Sequence, residues 1–330
     1  MKRLIKTFLY LIATALLIVG CGKQNSNKSQ LDLWMEEEGK LRVLSTTSMI
    51  GDLVERIGQD RIVHLTLMDG TVDPHSYELV KGDDEKLSRA NLVFYNGLGL
   101  EHGASLHYAL THNKLATPVG DVLSTKCPER LLTIDGVIDP HIWMDINLFV
   151  ETIDPIVETL SKHDPSYSHI FKKRGDQLRE ELLVADRLVY EMMQAINESN
   201  RYLVTSHDAF NYFARHYLAT PKELETNSWQ KRFQAPEGLA PDGQLGLHDL
   251  EQILNHLETY KIHYLFPESN VSLNSLKKLH SVAKAKGIDI HFSKTPLFGD
   301  SMSGEETSVS SYKEMVLHNA KVIDGFLNEK

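Results

Sequence analysis

Two tripeptides in this 330-residue sequence are identical, Asp73-Pro74-His75 and Asp139-Pro140-His141. Proline fixes its own φ and pushes the residue before it toward extended geometry, so each tripeptide is a stiff corner tipped by an imidazole. In open α/β sheets, ligands bind beyond the carboxyl ends of the strands. Two more polar residues stand at such ends: His207 closes the run RYLVTSH (201–207), and Asp300 follows DIHFSK (289–294) in TPLFGD. His75 and His141 fall in one half of the chain, His207 and Asp300 in the other. Three imidazoles and a carboxylate suit a borderline divalent ion such as zinc, manganese or ferrous iron.

The plainer reading of any one loop histidine is a solvated or capping residue. The chain has 16 histidines, and most, such as His256, His263 and His280, read as ordinary helix or strand surface. The repeated corner, and placement at strand ends in both halves, set these four residues apart. Only Cys21 and Cys127 offer thiols, so a metal site here is built from nitrogen and oxygen. Asp73, Asp139 and Glu268 are candidates to orient the imidazoles through their second ring nitrogens.

The elements that must position these residues alternate. LRVLSTT (41–47), RIVHLTLM (61–68) and NLVFYNG (91–97) read as buried strands, separated by the helical segments MIGDLVERIG and GDDEKLSRA. Gly58 stands where a glycine would end the first helix. This alternation implies a parallel sheet covered on both faces. From Pro165 to about Asn200 no internal proline occurs, and apolar residues recur at helical spacing from Phe171 to Ile196. A helix of roughly 35 residues, or about 50 Å, would form a spine between two lobes. Strand and helix patterns resume at 201 and end in a helix from about Ser311 to Leu327. The fold class is therefore α/β, with two β/α lobes and one long connecting helix.

At the N-terminus, three cations precede an apolar stretch from Phe8 to Val19, followed by Gly20-Cys21. That stretch is too short for a mature membrane span and has the proportions of a secretory signal. Residues 23–40 are polar and read as a tether. Losing Lys2, Arg3 and Lys6 moves the net charge from −10 to −13, which disfavours nucleic acid and mildly attracts cations.

The end of the signal, Leu17-Ile18-Val19-Gly20-Cys21, resembles the bacterial lipobox. Together with both Asp-Pro-His corners, Asn96-Gly97-Leu98-Gly99-Leu100-Glu101, Ser206-His207-Asp208-Ala209-Phe210 and Pro296-Leu297-Phe298-Gly299-Asp300, it resembles the cluster A-I solute-binding proteins of zinc, manganese and iron ABC importers. The resemblance covers essentially everything after residue 40. It implies two pseudo-symmetric lobes joined by one rigid helix, with His75, His141, His207 and Asp300 holding the transported ion (Fe2+, Mn2+ or Zn2+) in the cleft. It further implies an ABC permease with its cytoplasmic ATPase as partner, a lipid anchor at Cys21, a periplasmic location and a monomer. The expected organisation is a signal peptide (1–20), a tether (21–40), an N-terminal lobe (41–164), a linking helix (165–200) and a C-terminal lobe (201–330).

Two departures from the family pattern bear on the ion. GDVLSTKCPERLLTIDG has no histidine where zinc-dedicated members often carry a His-rich loop, and His207 stands where many manganese-dedicated members have glutamate. A zinc-dependent hydrolase is the rival reading, but His-Glu-x-x-His and Gly-x-Ser-x-Gly are both absent. An adhesin-like surface lipoprotein fits only as a secondary role.

Overall fold

The computed structural model describes residues 29–241, 246–303 and 309–328. The signal peptide, the lipobox and the first part of the tether lie outside the described residues. In the N-terminal lobe, β1 (Leu41–Ser45), β2 (Ile62–Thr66), β3 (Leu92–Tyr95) and β4 (Ala116–Pro118) form one parallel sheet in the order β2-β1-β3-β4. A hairpin, β5 (Thr133–Ile134) and β6 (Val137–Ile138), leads into the second Asp-Pro-His corner. In the C-terminal lobe, β7 (Leu203–Val204) pairs in parallel with β8 (Phe233–Gln234), and β9 (Tyr264–Leu265) with β10 (His291–Phe292). A parallel bridge, Thr205–Phe266, joins these pairs, and a second, Glu268–Leu297, joins the chain segments that follow β9 and β10. The resulting order, β8-β7-β9-β10, repeats that of the first lobe, as two pseudo-symmetric lobes require.

The spine is the helix Ser168–Ala195, 28 residues and about 42 Å long. It is shorter than the periodicity predicts. A 3₁₀ turn, Pro165–Tyr167, precedes it, and Ile196 turns extended before the Asn197 side chain caps the next turn. Phe171, Leu178, Leu182, Ala185, Val189 and Met193 form its buried stripe, whereas Val184 and Leu188 face solvent. Charged pairs clamp it to both lobes. Arg174 Nη1 donates to the carbonyls of Ile57 and Gly58, satisfying the open end of the helix Ser48–Gly58. Arg56 from that helix and Lys313 from the C-terminal helix Tyr312–Leu327 both pair with Glu181 of the spine. Among the described residues no helix is long and apolar enough to cross a membrane.

Two expectations are corrected. Residues Gln30–Glu36, expected within the tether, form a short helix with a complete capping box at Ser29. Trp34 is fully buried and its Nε1 donates to Val43 O (3.0 Å), so this segment belongs to the folded body. Gly58 stays helical, and the helix ends instead at Gln59, which takes a positive φ of 44°. Gly58 is needed for space, because a Cβ there would run into the Ile62 side chain.

Candidate metal centre

Both Asp-Pro-His corners are built by one local device. Asp73 Oδ1 accepts from His75 N, and Asp139 Oδ1 accepts from His141 N, each at 2.9 Å. These turns aim the two imidazoles inward, where His75 Nε2 lies 3.1 Å from His141 Nε2. Asn96 and Glu101 of the NGLGLE segment support the second corner. Glu101 is buried and accepts from Thr46 Oγ1 (2.7 Å) and Asn96 N (2.8 Å), while Asn96 Nδ2 donates to Pro140 O (3.0 Å).

On the other side, Ser206 N and His207 N both donate to Glu268 Oε1 at 2.9 Å. Glu268 Oε2 then stands 2.7 Å from His207 Nδ1, which points Nε2 toward Asp300 Oδ2 at 3.1 Å. A side chain at Gly299 would collide with Glu268 Oε2, so only glycine fits between this carboxylate and the Asp300 loop. Asn319 on the C-terminal helix fixes that loop from behind, accepting from Phe298 N and donating to Phe298 O, both at 2.8 Å.

The four sequence-predicted residues thus converge from both lobes. Asp300 lies 3.7 Å from His75 Nε2 through Oδ2 and 3.5 Å from His141 Nε2 through Oδ1. All four side chains are buried, and one donor atom of each lies within 4.8 Å of the others. Four donors at about 2.1 Å from a tetrahedral ion stand about 3.4 Å apart, which falls within the observed spacings. Neither Asp300 oxygen has an aligned hydrogen-bond partner. A buried carboxylate left this way carries a desolvation cost that a cation would offset.

The electrostatics agree. Burial holds His75 well below the ordinary imidazole pKa, so it is a neutral donor ready to ligate. Burial opposes charge on His207 too, but Asp300 and Glu268 together outweigh it and raise that imidazole well above its usual value. Burial would lift Asp300, yet His207, with His141 and His75 behind it, holds its carboxyl far below the usual range. Asp208 is pushed up to about 7 by burial and by the neighbouring Asp139.

Of the three candidates for orienting the imidazoles, two do so. Asp139 Oδ1 lies 2.7 Å from His141 Nδ1, and Glu268 holds His207, whereas Asp73 accepts from the His75 backbone and from Ser76 Oγ. His102 was not singled out by the sequence. Its ring lies 5.6 Å from that of His75, and both line a hollow of about 270 Å³ with Asp208 that opens toward the site. Two larger hollows, of about 620 and 810 Å³, have none of the four residues in their lining, although Glu268 borders the second. His256 is not the plain surface residue expected: it packs against Tyr202 and Tyr260, and burial pushes it down to about 4.

One further group of ligand-type side chains converges among the described residues: Asp145, Asp186 and His216. Here the atoms satisfy one another. Asp186 Oδ1 accepts from His216 Nε2 (2.9 Å) and Tyr217 OH (2.8 Å), and Asp145 Oδ1 caps Leu148 N (3.0 Å). Burial opposes the charged imidazole, but Asp186 and Asp145 outweigh it and raise His216. This group is an ion pair fastening the spine to both lobes.

Residues 43–325 match the family model described as zinc-uptake complex component A, periplasmic. The chain belongs to that family. As the sequence implied, it is a metal-binding substrate-binding protein of the ABC importers. It is 35% identical over 312 residues to the metal-binding protein YtgA of Chlamydia muridarum, covering 94% of this chain and 91% of that one. It is 32% identical over 310 residues to the manganese-binding lipoprotein MntA of Bacillus subtilis, covering 93% and 94%. The crystal structure of Fe(III)-bound YtgA from Chlamydia trachomatis superposes with a TM-score of 0.81 at 35% identity, covering 87% of this chain and 98% of the other. That superposition spans nearly the whole of the iron-bound chain, so the two proteins share the fold described above.

Proposed function

We propose that His75, His141, His207 and Asp300 together hold one transported transition-metal ion in the cleft between the lobes. The observation that carries this is the buried convergence of three imidazoles and one carboxylate at spacings of 3.1–3.7 Å. Segments 41–164 and 201–330 each supply two of the donors, and the helix between them keeps the lobes from swinging wide. Four protein donors leave no open position for an activated water, which favours carriage over hydrolysis; the chain is not an enzyme. The ion is Fe2+, Mn2+ or Zn2+. Relatives named for manganese and an iron-bound neighbour support keeping all three, since raw affinity order favours zinc over iron and manganese whatever the cell imports.

In this reading the protein works outside the inner membrane as a monomer, lipidated at Cys21, and passes its ion to a permease driven by a cytoplasmic ATPase. Elemental analysis of protein purified without added metal, followed by anaerobic competition among the three ions, tests the assignment. A chain that binds none of them at one equivalent overturns it. Fatty-acid labelling of the wild type and of Cys21→Ala tests the anchor separately: label should enter the first and not the second.

A further inference from the structure

The contacts beside the ligands run between the lobes in a crossed pattern. Trp143 lies two residues beyond His141, in the N-terminal lobe, yet its Nε1 donates to Gly299 O (3.0 Å), next to Asp300 in the other lobe. Asn211 lies four residues beyond His207, in the C-terminal lobe. Its Nδ2 donates to Asp139 Oδ2 (3.0 Å), the carboxylate that holds His141 in the first lobe. Tyr212 adds a second grip on that corner, donating to Asp139 O (2.9 Å) and accepting from Leu132 N (3.0 Å). Each lobe therefore fixes a candidate ligand that belongs to the other.

We propose that Trp143 and Asn211 are positioning residues that couple lobe seating to ion retention. This rests on the four-residue metal reading above. Both side chains are almost fully buried, so water cannot replace either bond while the lobes are seated. Moving the lobes apart breaks both together. Asp300 then loses its fix to the imidazole pair, and Asp139 is freed to let the His141 ring rotate. A small displacement thus disturbs two of the four donors at once. A partner that pries the lobes slightly apart discharges the ion without any large hinge motion, which suits a rigid spine. Because the crossed bonds form only when the lobes are seated, they govern how fast the ion leaves more than how fast it arrives.

The test uses the full chain loaded with zinc, and separately with cobalt(II) as a spectroscopic probe. Trp143→Phe keeps a ring against His141, whose ring now sits 5.3 Å from the indole, and removes only the donor. Asn211→Leu removes the grip on Asp139 at similar volume; Tyr212→Phe is the fallback if that variant does not fold. Chelator-driven ion loss, followed by stopped flow, should quicken about 10–100-fold in each variant, the usual range for partners of metal ligands. The rate of capture should stay near that of the wild type. The cobalt(II) visible bands should change shape in both variants, which a merely structural role would not produce. Loss rates and bands equal to the wild type in folded variants overturn the coupling and leave the metal reading intact. A wild-type chain that takes up neither ion overturns the metal reading and this proposal together.

Discussion

Replacing His75 with alanine is the cleanest deletion at the centre. His75 is neutral in the ion-free protein because burial holds its pKa down, so its removal strands no counter-charge. Removing His207 instead would leave Asp300 and Glu268 facing each other as buried carboxylates. His75 also borders the 270 Å³ hollow, from which water can fill the vacated position. Losing a direct ligand should exceed the roughly 10–100-fold typical of outer partners, so about 100-fold, or about 2.8 kcal/mol, is the minimum expected. At an ion concentration a thousand times the wild-type Kd, binding stabilises the wild type by about 4 kcal/mol and such a variant by about 1.4 kcal/mol. In a chain of this size the ion-induced rise in melting temperature should shrink by about 5 °C. Calorimetric titration and thermal unfolding, each with and without zinc, measure both quantities. His169→Ala, on an exposed turn of the spine, is the control. If His75→Ala keeps the wild-type Kd and the wild-type thermal shift, the four residues do not form the site.

Glu268→Gln should weaken zinc binding about 10–100-fold by competition titration, because an amide cannot supply the charge that His207 faces; wild-type affinity would remove Glu268 from the site. Trp34→Ala should cost about 3–5 kcal/mol in urea unfolding, since the indole is fully buried. A cost near zero would return residues 30–36 to the tether. Asp52 accepts from Tyr312 N across the lobes (3.1 Å), and burial raises its carboxyl from the ordinary 3.8 to about 6. The folded state therefore binds this proton more tightly, and stability is lost as pH rises from about 4 through 6, by on the order of 3 kcal/mol. Asp52→Asn should gain on the wild type across that window in urea titrations; an advantage that does not grow with pH refutes it. The comparison must be made by difference, because His256, pushed down to about 4, acts in the opposite sense over the same range.

The parts of this molecule most legible in its sequence are those fixed by local covalent geometry. A proline corner with an aspartate two residues before the histidine carries its own hydrogen bond, so His75 and His141 could be placed without knowing the fold. Long alternating segments place three of the first sheet's four strands and the C-terminal helix within a few residues, whereas the three-residue β4 is too short to show a pattern. The second lobe was less clear because its four strands are two residues long and its sheet is completed by single bridges. After His207, residues Asn211–Phe213 are α-helical and Ala214–Leu218 continue as a π-helix, a change of winding that periodicity does not reveal. The Tyr212 and Tyr217 hydroxyls are spent on contacts with the N-terminal lobe, which local propensity cannot report.

Asp73 and Asp139 make the limit plain. The two sit in identical tripeptides and make identical backbone bonds, yet only Asp139 reaches its imidazole. What separates them is the surroundings of each carboxylate. Ser76 draws the second oxygen of Asp73 outward, whereas Asn211 of the other lobe holds the second oxygen of Asp139 inside. The difference is set by residues 3 positions away in one case and 72 in the other. A repeated motif therefore identified both imidazoles, but which of the two aspartates supports its ring depended on how the lobes meet. The Asn211–Asp139 bond joins residues from both lobes, so the feature least visible in the sequence is also the one on which the proposed coupling of lobe seating to ion retention rests.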